Sequence, residues 1–350
     1  NQESISVWLR RGRWWAPRRP APRCAAAMRG APCRAQDEPT LERLVDEVLA
    51  DSACAKLIVD LLAYAADKVA ENIVAIRANL EKAGVSELDL LWPGAGYNSV
   101  ACGGNYEVLC RLEREGLLRV GKVVGASGGA ASAILALGDQ DASARTLLLY
   151  YLVYARWSTK TRDYQILRTT PLWGEIYRRV VSDDAAFERV SKRGFVAVAA
   201  GLGFRNWLLT NFATRDQCVR AYEASGEASL LGALVGHHID GVGHIAGACA
   251  DGGGVTRVPG HSRHLMFHHT FYGHAMRCTL ESVDFLFRRG VDETVEALAS
   301  ERLRLPPTGG HGGVAVVPAD DWAALRKEFT GLRSAATCLD VSSGECVEAS

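Results

Sequence analysis

One segment, Lys122 to Leu137, limits the fold more than any other. Lys122-Val123-Val124 is β-type, Gly125-Ala126-Ser127-Gly128-Gly129 follows at once, and Ala130 to Leu137 is a helix-forming run of small and aliphatic residues. A strand that turns straight into a helix crowds the two backbones together, and such crowding is tolerated only where side chains are absent or tiny. Gly125, Gly128 and Gly129 satisfy that condition on either side of a single serine. The segment therefore predicts a strand-turn-helix unit, and with it an α/β fold.

The neighbouring sequence extends the same grammar. Leu88, Leu90, Leu91 and Trp92 read as a strand entering the tight turn Pro93-Gly94-Ala95-Gly96. Tyr106, Val108, Leu109 and Leu112 give the buried face of a helix that Gly116 ends, and Val120 to Val124 is the next strand. Strand-helix-strand with a right-handed crossover implies a mainly parallel central sheet flanked by helices. Upstream, apolar residues at 41, 44, 45, 48, 49 and then at 57, 58, 61, 62, 65, 69, 73, 76 and 80 predict two amphipathic helices, broken near Asp51 and Ser52 and packed on the domain that follows. Downstream, Leu147 to Val153 is a helical apolar run, Phe195 to Ala200 a strand, Asp216 to Ala224 a helix, and Gly247 to Ala250 a brief strand running into Asp251-Gly252-Gly253. Ser282 to Arg289 and Val291 to Leu298 are helical, and Pro306 to Gly313 is a linker. The expected organisation is a disordered or leader segment over 1–39, N-terminal helices over 40–84, the α/β domain over 88–300 and a tail over 301–350.

Composition narrows the class of protein. At 350 residues with 48% hydrophobic and 23% charged content, wholesale disorder is excluded. Equal numbers of acidic and basic residues argue against a nucleic-acid partner, although residues 1–36 carry eight Arg against the single Glu3. The ten Cys include no CxxC pair, which favours reduced thiols inside a cell over a disulfide framework or a zinc ribbon. The uncharged run Val123 to Gly138 falls short of the roughly 20 residues a membrane span needs, so no transmembrane segment is expected. The Arg-rich, acid-poor beginning around Trp8, Trp14 and Trp15 reads as a targeting or disordered leader, or as translated sequence upstream of a start at Met28. Localisation is then expected to be intracellular, in the cytoplasm, peripheral on membranes or in an organelle.

Ser127 sits in the Gly-x-Ser-x-Gly pattern of a nucleophile elbow, in the strand-to-helix context that pattern requires. A serine hydroxyl becomes a competent nucleophile only when a base takes its proton. Asp251, at the end of a short strand with Gly252 and Gly253 leaving its carboxylate open, is the candidate base. These features, taken in order, resemble the patatin-like phospholipases. Gly94-Ala95-Gly96 stands where that family has a glycine-rich loop, followed by a helix like Tyr106-Glu107-Val108-Leu109-Cys110-Arg111-Leu112. Ser127 stands in the elbow, Val219 to Ser225 resembles the helix and Ala-Ser turn between the two catalytic residues, and Asp251-Gly252-Gly253 matches the Asp-Gly-Gly motif. Over about residues 88–300 the resemblance implies a three-layer α/β fold and a Ser127-Asp251 dyad. It also implies an oxyanion hole at Gly94, Ala95, Gly96 and Tyr97, with hydrolysis of phospholipid, galactolipid or acylglycerol esters through an acyl-enzyme. The loop departs from the family's in reading Tyr97-Asn98-Ser99-Val100-Ala101-Cys102-Gly103-Gly104, which makes it longer.

No cofactor is required by such chemistry. The lipid is expected at a membrane or lipid-droplet surface, met by exposed apolar residues from Leu147 to Tyr154. Two other functions stay open: a patatin-fold scaffold that binds acyl chains without turnover, and a Ser-His-Asp triad. For the triad, eight of nine histidines (237, 238, 244, 261, 264, 268, 269 and 274) fall between His237 and His274, downstream of the elbow. His264 and His268 also have the i, i+4 spacing that places two imidazoles on one helical face, but no acidic residue lies between them and no third ligand is evident, so no metal site is assigned.

Overall fold

The computed structural model describes residues 39–92, 94, 96–161, 171–200, 205–226, 237–239, 243–245, 263–268, 278–300, 313–318, 337–343 and 346–347. The helices are α1 (Leu41–Ala50), α2 (Ser52–Ala83), α3 (Val100–Arg114), α4 (Gly128–Gly138), α5 (Arg145–Thr161), α6 (Pro171–Val180), α7 (Asp184–Arg193), α8 (Arg215–Gly226) and α9 (Leu280–Ala299). The strands are β1 (Glu87–Trp92), β2 (Arg119–Ala126), β3 (Gly194–Ala200), β4 (Arg205–Thr210), β5 (His237–Ile239), β6 (Gly243–Ile245), β7 (Arg263–His268), β8 (Gly313–Pro318), β9 (Thr337–Asp340) and β10 (Cys346–Val347). All belong to the unit Thr40–Ser350.

The fold is α/β, but the sheet is mixed where a mainly parallel one was expected. Its order is β10-β9-β4-β3-β2-β1-β7-β8, with the β5–β6 hairpin joined to β3. The centre, β3-β2-β1-β7, is parallel throughout. Antiparallel pairing enters at β3–β4 and β7–β8, flanking that centre. The first of these has a local cause. Only residues 201–204 separate β3 from β4, too few for the crossover that parallel strands need. A second difference concerns residues 301–350, expected as a tail: β8 pairs with β7, and β9 lies parallel to β4.

The break between the first two helices falls on Asp51, whose carboxylate accepts the Ala53 amide at 2.9 Å and so caps α2. Gly84 ends α2 in the left-handed conformation, φ 58°. The residues that α1 and α2 bury, among them Leu44, Val48, Leu61, Ala65 and Ile76, follow the helical spacing read from the sequence. The 20-residue α9 packs against both α2 and α3. Its crossing with α3 is made backbone to backbone. A Cβ on Gly104 would stand 2.7 Å from the Val291 nitrogen and closer still to the Phe287 carbonyl, while a Cβ on Gly290 would collide with the Ala101 carbonyl. Gly103 and Gly104 are thus packing residues inside α3, and the longer loop expected before that helix is absent: the helix starts at Val100. A buried chain of hydrogen bonds spans the crossing, from Trp92 Nε1 to Asn105 Oδ1 (2.9 Å), from Asn105 Nδ2 to Thr294 Oγ1 (3.1 Å), and from Thr294 Oγ1 to the Gly290 carbonyl (2.6 Å).

Helix α5 corrects another expectation. Leu147, Leu148, Tyr150, Tyr151, Leu152, Val153 and Tyr154 are buried, because α5 packs against α1, α2, α3, α4 and α9. That run is interior packing and offers no lipid-contact surface.

Candidate active site

Strand β2 delivers Ala126 to the end of the sheet and α4 begins at Gly128, so one residue makes the turn. That residue is Ser127, at φ 52° and ψ −123°. A residue with a Cβ adopts such angles only under constraint. The Ser127 carbonyl accepts the amides of Ala130 (3.0 Å) and Ala131 (3.1 Å), which ties the serine into the first turn of α4. Gly125 lies under the fold-back, where a Cβ would come within 2.6 Å of both Ala130 Cα and the Gly129 carbonyl. Gly125 and Gly128 are therefore required by contact, as the sequence pattern implied.

The Ser127 amide is not available to a substrate. It donates to Ser225 Oγ at 2.9 Å, and Ser225 Oγ in turn donates to the Ala197 carbonyl at 2.7 Å. An oxyanion hole at this serine would need other donors. Gly128 and Gly129, the first two residues of α4, have amides with no acceptor inside the helix, and the helix dipole adds positive potential there. No described residue hydrogen-bonds the Ser127 hydroxyl.

The glycine loop meets this elbow. A Cβ on Gly128 would overlap the Gly96 carbonyl and stand 2.8 Å from Ser99 Oγ. Gly96, at φ 56°, opens a 3-10 turn running to Ser99, and Tyr97 stacks on Tyr154 of α5 with ring centroids 4.8 Å apart. Of the residues expected at the oxyanion hole, Gly96 is thus brought against the elbow and Tyr97 lies in the same turn. Ala95 falls outside the described residues. Gly94 lies within them, two residues beyond the end of β1.

A buried hydroxyl cluster fixes the turn, and proton counting sets its direction. Ser99 Oγ donates to the Gly96 carbonyl (2.7 Å) and Ser132 Oγ to the Ser99 carbonyl (2.8 Å). Tyr151 Oη lies 2.6 Å from Ser99 Oγ and 3.0 Å from Ser132 Oγ. Both serine protons are committed to carbonyls, so the single phenolic proton of Tyr151 is the one that serves the serine oxygens. Burial pushes the Tyr151 phenol up, so it stays protonated in the donor form this arrangement needs. The sequence marked Tyr151 only as part of an apolar helical run. The available signal was that a buried tyrosine hydroxyl requires a partner.

The second member of the expected dyad, Asp251, lies outside the described residues with Gly252 and Gly253, as do His261, His269 and His274. His264 and His268 belong to strand β7, which overturns the shared helical face: four residues along a strand separate two backbone positions by about 13 Å. His238 and His244 are register partners in the β5–β6 hairpin. No group of three or more potential metal ligands occurs among the described residues. None of their helices is long and apolar enough to cross a membrane.

No family model, curated protein or solved structure matches this chain.

Proposed function

We propose that this chain is a serine acyl hydrolase of the patatin-like type, cleaving carboxylic esters of lipids. The observation that carries the reading is the conformation of Ser127, a residue with a side chain held at φ 52° between a parallel strand and a helix N-terminus. A turn serving only to connect the two elements would be made at no such cost by glycine, the type of residue found on its other side. Further support comes from the packing of Gly96 on Gly128 and from the amides at the start of α4 that have no acceptor within the helix. The three-layer arrangement belongs to the same proposal.

In this mechanism Ser127 Oγ attacks the acyl carbonyl carbon as its proton passes to the Asp251 carboxylate. The carbonyl electron pair moves onto oxygen and is stabilised by the amides of Gly128 and Gly129 and of the glycine loop. Collapse breaks the ester C–O bond, and the alcohol leaves with the proton from Asp251. Water then gives a proton to Asp251 and attacks the acyl-enzyme. Its collapse returns the proton to Ser127 Oγ and releases the fatty acid. Residues of this chain supply every proton-transfer and charge-stabilising group, with no cofactor.

The test is labelling by a fluorophosphonate. Native protein is expected to be labelled at Ser127 and Ser127→Ala to be unlabelled, while Asp251→Asn folds but loses turnover by about a thousandfold or more. Folded native protein that takes no label would end the proposal.

A further inference from the structure

Ala224 and Ser225, near the end of α8, have no part in the acyl-transfer steps, yet Ser225 makes the one side-chain hydrogen bond to the backbone of the nucleophile among the described residues. Ser225 is fully buried at the end of α8, 98 residues from its partner. The direction of its two bonds is fixed by chemistry. The Ser127 amide can only donate and the Ala197 carbonyl can only accept, so the hydroxyl accepts from the first at 2.9 Å and donates to the second at 2.7 Å. Three elements meet at this one oxygen: the elbow between β2 and α4, strand β3, and helix α8.

The Ala126–Ser127 peptide plane sets the direction of the Ser127 Cα–Cβ bond, and hence the position of Oγ. The positive φ of Ser127 opposes this placement, since rotation of that peptide toward an ordinary β or helical conformation relieves the strain. Strand β3 is anchored to β2 by parallel pairing at Gly125↔Val196 and Ala126↔Ala197, so a bond through Ser225 to Ala197 refers the elbow to a rigid part of the sheet. We propose that Ser225 is a positioning residue for the Ser127 nucleophile, its hydroxyl bridging the Ser127 amide to the Ala197 carbonyl and so holding the strained peptide with Oγ aimed for attack. This rests on the acyl hydrolase reading above.

The full chain is assayed for hydrolysis of p-nitrophenyl butyrate and for the rate of fluorophosphonate labelling, both normalised to the folded fraction from near-ultraviolet circular dichroism. In Ser225→Ala, kcat and the labelling rate are expected to fall together by about 10- to 100-fold while KM changes by less than about twofold, the signature of a misplaced reacting atom. Ser225→Thr, which keeps both hydrogen bonds, is expected to restore most of the rate. If Ser225→Ala does not fold, Ser225→Cys, a near match in size but a weak hydrogen-bonding group, takes its place with the same expectation. A folded variant labelled at the native rate overturns the inference, and so does a folded Ser225→Thr as slow as Ser225→Ala. Native protein that is not labelled at Ser127 is a different result, which removes the hydrolase reading itself.

Discussion

At Ser127 a single residue carries backbone strain of about 1–3 kcal/mol, the usual scale for a side-chain-bearing residue in a sparsely populated region. Bonds at both ends of the residue hold it there, through its amide to Ser225 and through its carbonyl to Ala130 and Ala131. The neighbouring glycine is equally committed. Gly128→Ala would drive a methyl group into the Gly96 carbonyl, and neither backbone can yield without moving the loop or the helix. Its expected effects are a loss of about 1–3 kcal/mol in stability by chemical denaturation and loss of fluorophosphonate labelling even where the protein is folded. Unchanged labelling would mean that the loop and the elbow are not functionally joined. Ser127 and its glycines were legible in the sequence because their requirement is local: a sharp turn excludes side chains wherever it occurs. Ser225 and Tyr151 were not legible as partners, since the bonds they make join positions far apart in the chain and exist only once the helices are in place.

Among the elements, the crossing of α3 and α9 is the most exacting. Gly104 and Gly290 each face the other helix's backbone, an approach that no residue with a Cβ permits. Gly104→Ala is expected to destabilise the protein by about 3 kcal/mol and to lower its thermal midpoint by several degrees, measured by calorimetry, because the obstructing atoms are main chain and cannot rotate away. A midpoint within a degree or so of native would show that the helices can slide apart at little cost. Most helices here followed from periodicity, including the break at Asp51. Glycines proved ambiguous. The pair Gly103-Gly104 reads as loop in one dimension and serves as a helix–helix contact in three, and only the position of α9 decides between them. The apolar run in α5 misled for a related reason, since hydrophobicity says that a face seeks cover and not whether protein or lipid supplies it.

On the scale of the whole molecule, the sheet is finished by its latest strands. β8 covers the β7 side of the parallel centre, and β9 with β10 covers the β4 side. A chain ending at Ser300 is expected to lose cooperative thermal unfolding and to scatter light on standing, since β4 and β7 would then present unpaired backbone. A soluble truncated chain that still melts in one sharp transition would show those strands to be dispensable. These strands escaped the sequence reading because short apolar runs between glycines and prolines carry little periodic signal, and their pairing is settled by which edges stand open. Synthesis adds a temporal side to this arrangement. While the ribosome is still adding residues 313–347, Ser127, the glycine loop against it and both helices at their crossing have already been made, yet the sheet beneath them has two bare margins. Until those strands emerge, the backbone of β4 and β7 along these margins is the part of a nascent sheet most open to wrong pairing.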